Sequence, residues 1–363
     1  MNRSSAATTA AASSGEALGA TISSCGRRLG TAADRLDGRF GIDHLTSRPV
    51  PTLPVLARDA VYAAVSPQDA IERVREAFVR HHRGEWRMPA KVYLDSPPHG
   101  DFRAMPALGG DLAMLKWISS FPGNPREHAL PAVIGLVCLS DARTSEPLAL
   151  LDAGAVTALR TGAVAAVAAD ALAAGRTVGI AGCGLHGGWA ARCLAAAGYG
   201  PGICYDPRAE AAQALAGELG WSAGTREEAL AADVVACVTP GHGPVVGAAD
   251  LHPGLHLNML GADGPGKAEA TIEAVVACEL FCDEWAQASH GGELTGAVEA
   301  RRVTRADVTD LGSVLAGEAG GRSGPDAVTL FDSTGLAIQD LAVAAAALEA
   351  LRAGRIEAQT VAL

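Results

Sequence analysis

The chain has 363 residues, 49% hydrophobic and 19% charged, enough apolar material for one large or two medium globular domains. Its formal net charge is −11 with no basic block, which argues against nucleic acid or an anionic membrane as a main partner. Its eight cysteines include no CxxC pair, so they read as reduced thiols of a cytoplasmic protein, not as a disulfide framework or a metal site.

Residues 1–45 are rich in Ala, Ser, Thr and Gly without sustained periodicity and are expected to form a disordered tail. No compact apolar stretch follows Met1-Asn2-Arg3, so a secretory signal is not expected. Nor is there an unbroken run of about 18 apolar residues, so no transmembrane helix is expected. Ser66 to Arg83 predicts an amphipathic helix. Ser66 suits the N-cap, Pro67 the first turn, and Ala70, Val74, Ala77 and Phe78 share a face.

Residues 87–122 look extended. Residues 130–140 and 147–151 predict strands joined by a turn at Asp141–Glu146. An Ala-rich helix is expected from Ala155 to Ala174, stopped at Gly175. From Arg176 onward, short apolar strands alternate with helices: Thr177–Ala181, Gly187–Ala197, Gly202–Tyr205, Ala209–Leu219. Further strands are expected at Asp233–Val238, Leu255–Leu260 and Glu279–Cys282, and a last helix over Leu336–Ala353. That alternation predicts a doubly wound parallel sheet, an α/β fold.

Gly182-Cys183-Gly184-Leu185-His186-Gly187 sits between a predicted strand and a predicted helix. In that context GxGxxG is a dinucleotide loop. Gly182 makes the turn, Gly184 admits the pyrophosphate and Gly187 lets helix and strand pack. The helix N-terminus offers free N–H groups to phosphate. Asp206 ends the next strand, where a carboxylate accepts from the adenosine ribose and repels a 2′-phosphate. That favours NAD over NADP, with Arg208 moderating the preference.

Further motifs flank this loop. They are Met105-Pro106-Ala107, Lys116-Trp117, Leu159-Arg160-Thr161-Gly162-Ala163, Asn258-Met259-Leu260-Gly261-Ala262-Asp263-Gly264-Pro265-Gly266-Lys267 and Thr329 through Ala337. In this order they resemble the ornithine cyclodeaminase/μ-crystallin family across roughly residues 50–355. The resemblance implies a Rossmann domain (166–324) inserted in an α+β substrate-binding and dimerisation domain (46–165 and 325–363). It implies that Asp263 is catalytic, and that Lys91, Lys116 and Arg160 hold a substrate carboxylate. It also implies a backbone contact from Thr334 to substrate. Cys183, Gly184, Asp206, Thr239, Leu257, Asn258, Met259, Leu260, Lys267 and Ser333 match positions that line the cofactor.

Read without the family, these residues stay open. Asp263 suits an Asp-Gly turn. Arg160 suits a helix salt bridge and Lys91 a solvated strand. Lys116 in an apolar run calls for a partner or a ligand. Cys183 reads as packing, His186 as shaping the turn or touching phosphate, and the His81-His82 pair as surface.

The expected activity is hydride transfer between the Cα of a small amino or imino acid and NAD, by an amino acid dehydrogenase or imine reductase; the resemblance implies a homodimer or a dimer-built oligomer. Lys91, Ala132 and Gly291-Gly292-Glu293-Leu294 point away from ornithine cyclisation. A cyclodeaminase, a 2,3-diaminopropionate-pathway dehydrogenase and a non-catalytic crystallin-like NAD binder remain the alternatives.

Overall fold

The computed structural model describes residues 52–362 apart from Pro265; the expected tail at 1–45 lies outside the described residues. The described chain opens with β1 (Thr52–Leu56), α1 (Arg58–Ala64) and α2 (Pro67–His82). α2 starts where local chemistry dictates. Ser66 Oγ accepts from Asp69 N at 3.1 Å while the Asp69 carboxylate accepts from Ser66 N, a reciprocal cap. Ala70, Ile71, Val74, Ala77 and Phe78 are buried along one side.

An antiparallel run follows: β2 (Val92–Ser96), β3 (Gly100–Gly109), β4 (Leu112–Ser120), a single turn α3 (Asn124–Glu127), β5 (Val133–Asp141) and β6 (Pro147–Asp152). The side chains of β4 alternate as a strand demands. Met114, Lys116 and Ile118 point inward, and Leu115 and Trp117 outward. Then comes α4 (Ala153–Leu172), capped by Asp152, whose carboxylate accepts from Ala155 N at 2.6 Å.

By length and composition alone, α4 is apolar enough to cross a membrane. Packing explains its composition, since most of the helix is buried inside the fold. Small residues on every side let it lie close to its neighbours.

The second layer alternates: β7 (Val178–Ala181), α5 (Leu185–Ala196), β8 (Gly202–Tyr205), α6 (Ala209–Leu219), β9 (Ser222–Ala223), α7 (Arg226–Leu230) and β10 (Val234–Cys237). It continues with β11 (His242–Val246), β12 (His256–Met259), β13 (Ala268–Ala270), α8 (Ile272–Val276), β14 (Glu279–Cys282), α9 (Trp285–Gly291), α10 (Thr295–Glu299), β15 (Val308–Asp310), α11 (Leu311–Leu315) and β16 (Thr329–Asp332). The chain returns through α12 (Ala337–Arg352) and β17 (Gln359–Ala362) to the first layer.

Two main sheets result. One has the order β17-β1-β6-β5-β4-β3-β2, antiparallel except for the parallel β1–β6 pair. The other, β15-β14-β16-β12-β10-β7-β8-β9, is parallel throughout, and its β9-β8-β7-β10-β12 segment is the doubly wound Rossmann order. The α/β expectation holds. The sequence expectation gives residues 325–363 whole to the substrate domain, yet the strand pairing sets part of that range in the parallel sheet. β16, within that range, pairs with β12 and β14 inside the parallel sheet, its four residues fully buried as a central parallel strand requires.

Candidate active site

A cleft of about 980 Å³ opens at the carboxyl ends of β7, β8 and β10, the switch point where such sheets bind ligands. The turn after β7 shapes it. Gly182 adopts φ +102°, and a Cβ there would lie 2.5 Å from the Val238 carbonyl oxygen. Gly187 packs helix on strand: a Cβ would come within 1.8 Å of the Gly182 carbonyl. Gly184 differs, because a Cβ there would meet nothing within 4 Å. It leaves a space beside the N-terminus of α5, where free N–H groups and the helix dipole favour an anion. Asp206 stands at the end of β8, fixed by Cys183 N (2.9 Å) and by Arg208. Leu185, His186 and Thr239 complete the lining named from the sequence. These residues fit a dinucleotide. The open notch at Gly184 would admit a diphosphate, and the Asp206 carboxylate would be free to accept from ribose hydroxyls.

A second cavity, about 70 Å³, lies further in and meets the cleft at Val133 and His186. Lys91, Arg103, Lys116 and Arg160 surround it against one carboxylate, Asp263. Met105, Ile118 and Leu260 supply apolar wall. The inward face of β4 delivers Lys116, which is 1% exposed. Its Nζ lies 2.5 Å from Asp340 on α12, which is fully buried. Arg160, from the middle of α4, reaches the other Asp340 oxygen at 3.4 Å. Its guanidinium lies against Gly335, where φ is +78° and a Cβ would come within 2.6 Å of Arg160 Nη1.

Burial pulls the Lys116 ammonium down to about 8, although Asp340 opposes the shift. Lys91 falls to about 8 for the same reason, with Asp263 and Asp283 opposing. Its Nζ donates to the Thr334 carbonyl at 2.6 Å.

Asp263 accepts from Arg103 Nη1 at 2.7 Å and from Lys267 Nζ at 2.6 Å. Burial alone would raise its carboxyl; Arg103 and Lys267 outweigh that and hold it well below the usual carboxylate range. It is therefore a fixed negative charge and a weak base. Arg103 also grips Asp101 and lies over the Tyr93 ring, 5.3 Å from its centroid.

The structure brings Asp263, Lys91, Lys116, Arg160, Ser333, Thr334, Leu260 and His186 to one cavity. It does not bring Leu257, Asn258 and Met259 there as side chains. All three are fully buried in β12, and Asn258 Nδ2 donates to the Ala165 carbonyl of α4. In a central parallel strand both faces are covered, so these three would meet a cofactor through backbone or the strand end. Leu260 lines the inner cavity, not the cleft, and Lys267 turns to Asp263. Cys183 tucks its Sγ towards the Tyr205 carbonyl, a packing position.

Four residues escaped the sequence reading. Arg103 holds Asp263. Asp340 joins Lys116 to Arg160. Asp283 accepts from Ser333 Oγ, Thr334 Oγ1 and Gly335 N, which pins the 333–335 turn. Glu269 accepts from Thr239 N and Gly261 N, tying the ends of β10 and β12 beside the cleft. All four are acids or bases whose partners lie far along the chain, except for Arg103 with Asp101 and Glu269 with Gly261. Among the described residues no cluster of three metal-ligating side chains occurs, and every cysteine is free.

The family model for ornithine cyclodeaminase/mu-crystallin matches residues 54–355. The chain belongs to that family. The alanine dehydrogenase of Archaeoglobus fulgidus is 40% identical over 299 residues, 80% of this chain and 92% of that one. An archaeal alanine dehydrogenase dimer with bound NAD superposes with a TM-score of 0.81 at 38% identity, covering 86% of this chain and 99% of that one. The Thermococcus litoralis Delta(1)-pyrroline-2-carboxylate reductase in complex with NADH and L-proline gives 0.78 at 26% identity, covering 83% and 98%. The fold thus superposes on these members of the ornithine cyclodeaminase/mu-crystallin family over most of the chain.

Proposed function

We propose that this chain is an NAD-dependent amino acid dehydrogenase acting on a small L-amino acid, and that the same site reduces the corresponding imine. One observation carries the reading: a small cavity with four cations around one carboxylate opens directly onto a dinucleotide-shaped cleft. The parallel-sheet layer holds the cofactor and the other layer, with α12, most of the substrate. The balanced reaction takes an L-amino acid, NAD⁺ and water to a 2-oxo acid, ammonium, NADH and a proton.

When bound, the nicotinamide supplies a hydride acceptor for the substrate Cα. The protein does the rest. Lys116 and Arg160, braced by Asp340, grip the substrate carboxylate, and Lys91 and Arg103 close the cationic rim. Asp263 faces the amine and stabilises the positive charge that develops there. Its carboxyl is held too far below neutral pH to retain a proton. Lys91, drawn down to about 8, is better matched to accept and return the amine proton. The Thr334 carbonyl orients Lys91 for that role. A cavity of about 70 Å³ suits an alanine-sized substrate better than a long diamine, as does the likeness to alanine dehydrogenase.

The test mixes protein and NAD with single L-amino acids and follows reduced nicotinamide and ammonia together. Stoichiometric NADH with a small amino acid supports the reading. Ammonia without net NADH from ornithine or lysine would replace it with cyclodeamination. NAD binding without turnover would leave a binding protein.

The enzyme works as a homodimer in the cytoplasm. Val92, Leu94, Leu115, Trp117, Ile134 and Leu136 are exposed on β2, β4 and β5. Ala104 of β3 joins Val92 to Trp117, and Trp117 lies opposite Leu136, so apolar side chains cross the sheet. The alanine dehydrogenase neighbour is a dimer, and the free thiols suit a reducing compartment. Charging the stripe with Trp117→Glu and Leu136→Glu should give monomers by sedimentation; an intact dimer would place the interface elsewhere.

A further inference from the structure

His186 is the one titratable side chain, among the described residues, that lines both the cleft and the inner cavity. It is the second residue of α5, two positions beyond the open notch at Gly184. The ring is partly buried, and its Nε2 is sealed from solvent with no hydrogen-bond partner in the protein. A polar atom left this way is costly unless a ligand satisfies it.

The order of groups along the cleft says which ligand part can do so. Asp206 fixes the adenosine end, and the Gly184 notch takes the diphosphate. What remains of a dinucleotide must pass His186 to reach the inner cavity. Burial, then neighbouring Arg160, pushes the imidazole down to about 4. Asp263 pulls the other way, while Lys116 and Lys267 add to the push. The ring is thus neutral at neutral pH, with one nitrogen donating and one accepting. A neutral partner adds no repulsion to the positive ring of an oxidised nicotinamide.

We propose that His186 Nε2 hydrogen-bonds the nicotinamide half of the dinucleotide and is a positioning residue that seats that half against the substrate cavity. This goes beyond the phosphate or turn-shaping role suggested by its place in the glycine loop. It rests on reading the cleft as the NAD site.

The test is a binding ladder. ADP stops at the diphosphate, ADP-ribose adds the second ribose, and NADH adds the nicotinamide. Dissociation constants for all three are measured by calorimetry on the wild type, His186→Leu and His186→Gln. For His186→Leu, NADH should weaken roughly three- to tenfold while ADP is unchanged. His186→Gln, which keeps a donor and an acceptor, should recover most of the loss. ADP-ribose tells whether the bond is to the ribose or to the nicotinamide; loss at either step supports the proposal. Equal weakening of ADP would make His186 a phosphate contact and overturn it. No change in any ligand would overturn it as well. If the leucine variant does not fold, His186→Ala carries the same comparison. Failure of the wild type to bind NADH would instead refute the reading of the cleft.

Discussion

Gly184→Ala separates the cofactor cradle from the architecture around it. The backbone at Gly184 has φ −77° and ψ −167°, which alanine adopts without strain. An added Cβ touches nothing within 4 Å. The variant should unfold like the wild type, within about 0.5 kcal/mol. The methyl group would occupy the notch meant for phosphate, displacing it from backbone N–H groups at the start of α5. A hydrogen bond to a charged group is worth about 1.5–3 kcal/mol. Losing one weakens NADH binding by roughly tenfold to somewhat over a hundredfold.

Gly187→Ala is the control. Its Cβ would lie 1.8 Å from the Gly182 carbonyl, backbone that cannot step aside, so it should destabilise by about 1–3 kcal/mol or more. Calorimetric titration with NADH and chemical denaturation of both variants give the answer. A Gly184→Ala protein that binds NADH as tightly as wild type would refute the cradle assignment. One that loses stability as Gly187→Ala does would refute the steric reasoning.

Asp263→Asn should lower turnover by 10²-fold or more while leaving the NADH dissociation constant nearly unchanged; undiminished turnover removes Asp263 from the mechanism. Propanoate, a carboxylate without an amine, should inhibit with a constant that is flat below about pH 8. It should then rise as Lys91 and Lys116, each drawn down to about 8, lose charge. Because their folded values lie below the unfolded 10.5, these lysines make the fold more stable with rising pH across that window, so weaker inhibition there is not unfolding. A flat profile to pH 10 would show that neither lysine holds the carboxylate. Asp206→Ala frees Arg208, now paired with the carboxylate, and should raise the NADP-to-NAD ratio of kcat/KM at least tenfold; an unchanged ratio would move the ribose contact to another residue.

What could be read from the sequence follows the range of the interactions. The cap at Ser66, the turn at Asp141–Glu146 and the glycine loop are local, and the chain spells them out within a few residues. The lone lysine in β4 announced a buried partner, but not which one. Asp340 sits 224 positions away in a helix that otherwise reads as apolar filler. Asp283 was equally silent, since its role is to hold a turn fifty residues downstream. Leu257, Asn258 and Met259 differ in kind. Their positions follow a motif, but a strand buried on both faces can offer a ligand only its backbone or its end. β1 and β17 were missed because each is short, and their pairing joins opposite ends of the described chain.

The contact between α4 and α5 has a mechanical consequence. At Gly162 the two helices come so close that a Cβ would lie 2.3 Å from the Trp189 carbonyl oxygen. Two residues before that glycine, α4 carries Arg160; three residues before Trp189, α5 carries His186. In the proposed site the grip on the carboxylate and the edge of the cofactor seat therefore stand on two helices in backbone contact. The spacing of donor and acceptor is cut into the protein before either ligand arrives, and a methyl group at Gly162, touching neither, would retune both.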